Sequence, residues 1–412
     1  MSNKLKVAYY LLRFPQLTET FILREMILLR QLGLDVRVFS LTPPLPSSVM
    51  HQEVQEMMPY VHYSPFLLSA RLLQAQCRFL LRSPAKYMRA LFRAIWQTWP
   101  EPAALARVLI AFPKSVYFAQ QVQDLHMDHI HAHFAWVNGI AAQIAADLIG
   151  VTFSLHLHAW ELFARNQESV RRQLELATRI VTVSEYHRQY IANLCPRWLP
   201  EDIRVVHYGL DPAEFTPAHV PAKDGQVRII SVGSLLEKKG HEYLIDACAQ
   251  LAEKGYRFHC SIVGSGSLQG ALQARIDRYQ LQEHVSLLGA KNQADVQNLY
   301  RQSDIFVLAC VVAQSGDRDG MPNVLLEAMA MELAVVTTPV TGIPELVHDG
   351  ENGLLAPERD AQALANKIEL LIKDQDLRHE LGKRGRQTVL AEYDIRQTAA
   401  QLAAVFQEIH PQ

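Results

Sequence analysis

The segment Ser315-Gly-Asp-Arg-Asp-Gly-Met-Pro-Asn-Val-Leu-Leu-Glu327 says most about the fold of this chain. Pro322 and Asn323 stand where a helix begins, so the segment predicts a turn from a strand into a helix. Asp319 and Glu327 lie at the two ends of that turn. The first N–H groups of a helix are unpaired and carry a positive partial charge, which suits a diphosphate. The segment therefore predicts a site for a sugar and a phosphate, with Asp319 on sugar hydroxyls and Glu327 on a ribose.

Around this segment, strands alternate with helices in two successive halves. In the first half the predicted strands are Lys6–Leu12, Asp35–Leu41, His129–Phe134, Thr152–His156, Arg179–Val183 and Ile203–His207. In the second half they are Arg228–Val232, Phe258–Val263, Val285–Leu288, Ile305–Ala309 and Val335–Thr338. This alternation predicts two parallel sheets that bind ligands at the carboxyl ends of their strands. The proline-rich stretch from Gly209 to Gly225 is predicted to link the two domains.

Composition agrees with two α/β domains. A chain of 412 residues is too long for one ordinary core. The net charge of −2 argues against a nucleic-acid partner. The five cysteines include no CxxC pair, which favours a reducing compartment. The chain begins with a strand pattern and has no apolar run long enough to cross a membrane, so we expect a cytoplasmic protein.

An acidic residue, seven residues and then Glu is the hallmark of a known family, and Asp319 and Glu327 have this spacing. Here the chain resembles the family 4 retaining glycosyltransferases of the GT-B fold, in particular the branch that builds bacterial exopolysaccharides of the colanic-acid type. Further motifs in the family's order are Phe14-Pro15, Thr18-Glu19-Thr20-Phe21, His131-Ala-His-Phe134, His158-Ala159, His207-Tyr-Gly-Leu-Asp211, Ser231-Val-Gly233, Glu237-Lys-Lys-Gly240, Val263-Gly-Ser-Gly266 and Asp349-Gly-Glu-Asn-Gly353.

The resemblance implies two Rossmann-like domains that face each other across a cleft. Residues 1–210 would form an acceptor-binding domain, and residues 225–392 a domain that binds a nucleotide sugar. A final helix, at about residues 393–412, would cross back and pack on the first domain. The donor would be a UDP- or GDP-linked sugar, with no separate cofactor and no metal.

On the donor side, the resemblance assigns the diphosphate to Lys239, which follows a strand at the start of a helix. The family usually has an arginine five residues earlier, where this chain has Ser234, and Lys238 is a possible substitute. The backbone at Gly233, Gly264 and Gly266 would approach the nucleotide. Met321 and Asn323 would complete the donor site.

Two other interpretations of these motifs are weaker. Val263-Gly-Ser-Gly266 lacks the spacing of a dinucleotide fingerprint, and no acidic residue closes the next strand. Asp317-Arg-Asp319 matches the DxD metal motif of a single-domain glycosyltransferase fold, which two Rossmann halves disfavour. No His/Cys cluster has metal-ligand spacing.

On the first domain, the resemblance places His158 beside the transferred sugar. Glu19 and His133 are predicted on the acceptor side, and we expect His131 and His133 to point to opposite faces of their strand. No carboxylate nucleophile is evident there, so the expected mechanism is front-face displacement, in which the leaving diphosphate takes the acceptor proton. Catalytic roles would fall to His158, Asp319 and Glu327.

The stretch from Met57 to Pro100 contains no Asp or Glu. Its cations are Arg71, Arg78, Arg82, Lys86, Arg89 and Arg93, and they alternate with large apolar residues. Such helices suit an anionic membrane surface, but a flap packed on the first domain would give the same pattern. The predicted acceptor is a lipid-linked or growing polysaccharide. A nucleotide-sugar epimerase or hydrolase and a non-catalytic sugar-nucleotide-binding module are the alternative functions.

Overall fold

The chain forms two compact α/β units. A computed structural model describes residues 4–16, 20–44, 52–218 and 225–409. The first unit comprises Met1–His207 together with Arg396–Gln412, and the second comprises Tyr208–Ile395. Each unit has its own parallel sheet and its own hydrophobic core.

The first unit is built on a seven-stranded sheet. Its strands are β1 (Lys6–Arg13), β2 (Asp35–Thr42), β3 (Val61–Tyr63), β4 (His129–His133), β5 (Thr152–Leu157), β6 (Arg179–Thr182) and β7 (Ile203–Val205). All neighbours pair in parallel, in the order β3-β2-β1-β4-β5-β6-β7. Strand β4 is buried along its whole length because helices cover both faces of a parallel sheet.

Helices connect the strands of the first unit. They are α1 (Thr20–Gln31), α2 (Gln52–Met57), α3 (Ala70–Arg82), α4 (Pro84–Thr98), α5 (Pro102–Asp124), α6 (Val137–Ile149), α7 (Ala159–Ala164), α8 (Gln167–Leu174) and α9 (Glu185–Leu194). Helix α6 is apolar almost all round and is buried, and Gly150 ends it in the left-handed conformation.

The second unit is a six-stranded Rossmann-like sheet. Its strands are β8 (Val227–Val232), β9 (Phe258–Val263), β10 (Val285–Leu287), β11 (Ile305–Leu308), β12 (Ala334–Thr337) and β13 (Leu354–Leu355). The order is β10-β9-β8-β11-β12-β13, again parallel throughout. Its helices are α10 (His241–Glu253), α11 (Gln269–Arg278), α12 (Gln293–Arg301), α13 (Asn323–Ala330), α14 (Ile343–Leu346), α15 (Ala361–Lys373) and α16 (Gln375–Glu392).

The last helix, α17 (Ile395–Ile409), returns to the first unit. Leu402 and Phe406 are fully buried in the cluster that also contains Tyr9 and Met26. The ring of Phe406 meets that of Tyr9 edge-on at 6.5 Å. The predicted return of the final helix is therefore confirmed.

Candidate functional site

The second unit gathers two lysines and two aspartates at one point. The Nζ atom of Lys239 lies 2.6 Å from Asp319 Oδ2, and that of Lys238 lies 3.5 Å from Asp319 Oδ1. Lys238 also pairs with Asp317 at 3.2 Å. The two lysines follow β8, and the aspartates lie on the loop between β11 and α13, so adjacent parallel strands bring them together. We call these four residues the Lys–Asp cluster.

Burial and ion pairing have opposite effects on the pKa values of Asp319 and Lys239. Burial disfavours the ionised carboxylate, but Lys239 and Lys238 outweigh it and hold the pKa of Asp319 below its usual range. Burial also lowers the pKa of Lys239, and Asp319 more than offsets this, so the pKa of Lys239 is raised. Cys310 lies 3.7 Å from Asp319, and burial raises the pKa of its thiol. Asp319 and Lys239 are therefore ionised at neutral pH, with Cys310 protonated.

Helix α13 begins directly after the cluster. Asn323 is its first residue and is exposed, and no side chain among the described residues caps this helix end. Met321 is buried just before it. Glu327 is partly exposed, and its Oε2 atom accepts a hydrogen bond of 3.0 Å from the Tyr300 hydroxyl. The loop and helix predicted from Asp319 to Glu327 thus have the expected form.

Three glycines allow the backbone to pack closely beside the lysines. A Cβ atom on Gly233 would lie 3.2 Å from the Lys239 side chain. On Gly264, whose φ is +150°, it would lie 1.8 Å from the carbonyl oxygen of Gly233. On Gly266 it would lie 2.4 Å from the carbonyl oxygen of Leu235. Packing within the chain therefore requires glycine at positions 264 and 266.

The first unit contains a chain of hydrogen bonds that ends at His158. Tyr9 donates its hydroxyl to Glu25 Oε1 at 2.7 Å, and the same oxygen lies 3.0 Å from His133 Nε2. His133 Nδ1 lies 3.1 Å from His158 Nε2. Glu161 Oε1 accepts the backbone N–H of His158 at 2.7 Å. Hydrogen bonds therefore hold both the backbone N–H and the ring of His158, the residue that precedes helix α7.

The electrostatics of this region favour neutral groups. Burial, then the neighbouring imidazoles, lowers the pKa of His158 well below its usual value. Burial raises the pKa of Glu161 to about 8, despite backbone hydrogen bonds that lower it. Both residues are therefore largely uncharged at neutral pH.

The expectation that His131 and His133 face opposite sides is wrong. Side chains two residues apart on a strand share a face, and the two rings lie 5.0 Å apart. His133 is fully buried, so it presents no surface in this structure, and its acceptor-side role stays a prediction. Glu19 lies outside the described residues.

His131 and His133 belong to a cluster of possible metal ligands, which the spacing of residues in the sequence does not reveal. Glu25, His131, His133 and His156 place one ligand atom each within 4.8 Å of one another. Imidazole and carboxylate groups in such an arrangement could hold a transition-metal ion. The sequence offers no signal for it because the four side chains come from α1, β4 and β5.

The acid-free stretch forms two amphipathic helices, α3 and α4. Two of its six cations form ion pairs within the unit, Arg78 with Asp124 at 3.7 Å and Arg93 with Asp147 at 2.6 Å. Of the other four cations, Arg71, Arg82 and Arg89 are exposed and Lys86 is partly exposed. The same two helices expose the apolar residues Leu73, Leu81, Met88 and Phe92. We call these eight residues the basic surface. Among the described residues, no helix has the length and hydropathy to cross a membrane.

Two family models match the chain in succession. Glycosyltransferase Family 4 matches residues 18–214, and Glycosyl transferases group 1 matches residues 213–388. The chain belongs to the family 4 glycosyltransferases. Its activity is therefore the transfer of a sugar, and the sequence-based assignment of the family is confirmed.

Relatives and solved structures agree with this assignment. A putative colanic acid biosynthesis glycosyltransferase of Salmonella typhimurium is 28% identical over 98% of this chain and all of its own length. An amylovoran biosynthesis glycosyltransferase of Erwinia amylovora is 28% identical over 88% of this chain and 89% of its own length.

Among structures, a glycosyltransferase from Rickettsia africae has a TM-score of 0.73, at 18% identity and full coverage of both chains. The HepE protein of Anabaena, solved in complex with UDP, has a TM-score of 0.72 at 17% identity, covering 98% of this chain and all of its own. These likenesses confirm the predicted fold of two Rossmann-like domains.

Proposed function

We propose that this glycosyltransferase takes its sugar from a nucleotide-sugar donor bound by the second unit. The Lys–Asp cluster carries the proposal, because it places two cations beside the uncapped start of α13. Cations and free amides together suit a diphosphate. Lys238 supplies the second cation that a serine at position 234 cannot.

The remaining donor contacts follow from the positions of the side chains. Glu327, held by Tyr300, binds the ribose, and Asp319 binds hydroxyls of the transferred sugar. Gly233, Gly264, Gly266, Met321 and Asn323 complete the donor site. UDP in the structure of the Anabaena relative supports a uridine nucleotide over a guanosine nucleotide.

The proposed mechanism is metal-independent transfer with retention of the anomeric configuration. The lysines stabilise the charge that develops on the leaving diphosphate, and that diphosphate takes the acceptor proton. Such a front-face reaction needs positioning more than an enzymic base. His158, neutral and fixed through His133, contributes a hydrogen bond to the sugar.

The proposed acceptor is a lipid-linked or growing polysaccharide in exopolysaccharide synthesis. The relatives named for colanic acid and amylovoran biosynthesis support this class of product. The basic surface supports a place on the inner face of the cytoplasmic membrane, because exposed cations and apolar side chains together suit anionic lipid. An epimerase, a hydrolase or a bare binding module would have no use for this surface.

A thermal-shift screen with nucleotide sugars in EDTA tests donor binding. A true donor at 100 times its Kd stabilises the protein by about 2.7 kcal/mol. Lys239→Gln and Glu327→Gln should each lower donor affinity by about tenfold or more, since charged hydrogen bonds contribute about 1.5–3 kcal/mol. Lys367→Gln, at a partly exposed lysine of the same unit, is the matched control. Unchanged affinity in both site variants would reject the assignment, and stabilisation that requires added Mg²⁺ would reject metal independence.

A further inference from the structure

The first unit contains a cavity of about 430 Å³ at the carboxyl ends of β1 and β2. Ligands of open parallel sheets bind at this edge. Its lining residues come from these two strands, from α5 and from the start of α6. They are Leu12, Arg13, Gln16, Leu41, Thr42, Arg107, Ile110, Ala111, Lys114, Trp136 and Val137.

All the charged side chains among the described lining residues are cations. They are Arg13, Arg107 and Lys114, and no described carboxylate lines the cavity. Among the described residues, none of the three forms an ion pair. Arg13 donates to the Thr42 hydroxyl at 3.3 Å, and Lys114 donates to a backbone carbonyl at 2.7 Å. Three cations with no carboxylate partner in the described part of the chain favour an anionic ligand.

Burial supports the same conclusion. Lys114 is half-buried, and burial lowers its pKa with no acidic group to offset the effect. A bound anion would favour the charged form and so oppose this effect. Arg107 lies over the Trp136 ring at 5.5 Å, so its guanidinium is held at the cavity by an aromatic face rather than by a carboxylate.

The remaining lining is largely apolar. Leu12, Leu41, Ile110, Ala111, Trp136 and Val137 form the greater part of it. A free sugar or a bare inorganic anion would leave these side chains against water. A ligand with an anionic head and an aliphatic chain would pair with the cations and cover the apolar walls.

We propose that this cavity binds the diphosphate and the adjoining aliphatic chain of a lipid-diphosphate acceptor. The assignment rests on the proposed function, since it names the chemical class of the acceptor and the place of its reducing end. Arg13, Arg107 and Lys114 bind the diphosphate, and the apolar walls bind the first carbons of the lipid. The basic surface, on other helices of the same unit, is a separate feature that contacts bulk lipid.

Calorimetry with farnesyl diphosphate, without vesicles, tests the cavity. The protein should bind farnesyl diphosphate at least tenfold more tightly than inorganic pyrophosphate or farnesol. The double variant Arg107→Gln/Lys114→Gln should lose at least tenfold in affinity for farnesyl diphosphate and keep its affinity for UDP. Arg71→Gln/Arg89→Gln, on the basic surface, is the matched control and should bind farnesyl diphosphate as the unchanged protein does.

Equal affinity for pyrophosphate and farnesyl diphosphate would overturn the proposal, and so would full affinity in the double variant. An equal loss in the matched control would show a general charge effect and would also overturn it. Transfer assays separate this failure from failure of the proposed function. A double variant with unchanged KM for a lipid-diphosphate acceptor contradicts the cavity alone, whereas a native protein that never transfers sugar contradicts the function.

Discussion

Asp319 shows how one carboxylate can serve two purposes. It neutralises Lys239 and Lys238 in this structure, and its own ionisation depends on them. In the proposed donor complex, the diphosphate would compete for the same lysines. Binding would therefore release Asp319 to contact sugar hydroxyls.

Glu161 predicts a pH dependence of stability. Its pKa is about 8 in the folded protein, above the ordinary value of 4.5. Between these values the native state binds more protons than the unfolded state, so its contribution to stability falls as pH rises. The slope for one group is at most about 1.4 kcal/mol per pH unit.

Glu161→Gln removes this titration and keeps an oxygen that can accept the His158 N–H. The free energy of unfolding of the variant, relative to the native protein, should rise between about pH 5 and pH 8. Urea denaturation at three pH values measures it. A constant difference across that range would show that Glu161 titrates normally. Glu168→Gln, at a partly exposed acid of the same unit, is the control.

At the scale of elements, the turn between β9 and α11 depends on its glycines. Gly264→Ala forces a Cβ atom to within 1.8 Å of a backbone oxygen at φ +150°. Such strain costs about 1–3 kcal/mol or more, so the thermal midpoint should fall by several degrees.

Gly270→Ala, six residues later in the chain, should have the opposite effect on stability. Gly270 lies in α11, and a Cβ atom added there would have nothing within 4 Å, so alanine should stabilise by about 0.5–1 kcal/mol. Calorimetric scans of both variants make the comparison. A similar midpoint shift in the two would mean that the tight approach of Gly264 to Gly233 is absent.

The basic surface predicts salt-dependent binding to anionic vesicles. Each cation near such a surface contributes about 1 kcal/mol, and the effect fades within a Debye length of about 8 Å at physiological salt. Changing Arg71, Arg82, Lys86 and Arg89 to glutamine should lower vesicle binding at least tenfold and spare donor binding. Arg93 is left intact because it pairs with Asp147.

Vesicle co-sedimentation at several salt concentrations is the measurement. Neutralising four cations of the second unit, Arg278, Lys291, Lys383 and Arg384, is the control and should change binding little. If the native protein ignores anionic vesicles at low salt, α3 and α4 form a packed flap, and the membrane interpretation is wrong.

Sequence patterns predicted long elements better than short ones. The bounds predicted for β9 agree with the structure, and most other predicted strands differ by one or two residues at an end. Strands β3 and β13 were missed, since three and two residues are too few to show a period. Helices α3 and α4 followed from their amphipathic pattern, but only the structure shows that Arg78 and Arg93 form ion pairs.

At the scale of the whole molecule, the sequence revealed the donor-side motifs of the second unit better than the sites of the first unit. The Lys–Asp cluster comes from two short motifs, so its residues could be named in advance. The cavity and the hydrogen-bond chain through Glu25 and His133 are assembled from elements about a hundred residues apart. Such long-range sites leave no local pattern, because their spacing is set by the order of strands in the sheet.

The proposed reaction is transfer of a sugar from a nucleotide donor with retention. It is tested by proton NMR of the reaction between a stabilising nucleotide sugar and a lipid-diphosphate-linked acceptor. Retention predicts a new glycosidic bond with the anomeric configuration of the donor, formed at the rate at which nucleoside diphosphate is released. Inversion of that configuration, or release of free or epimerised sugar without a glycosidic product, would contradict retaining transfer by this protein.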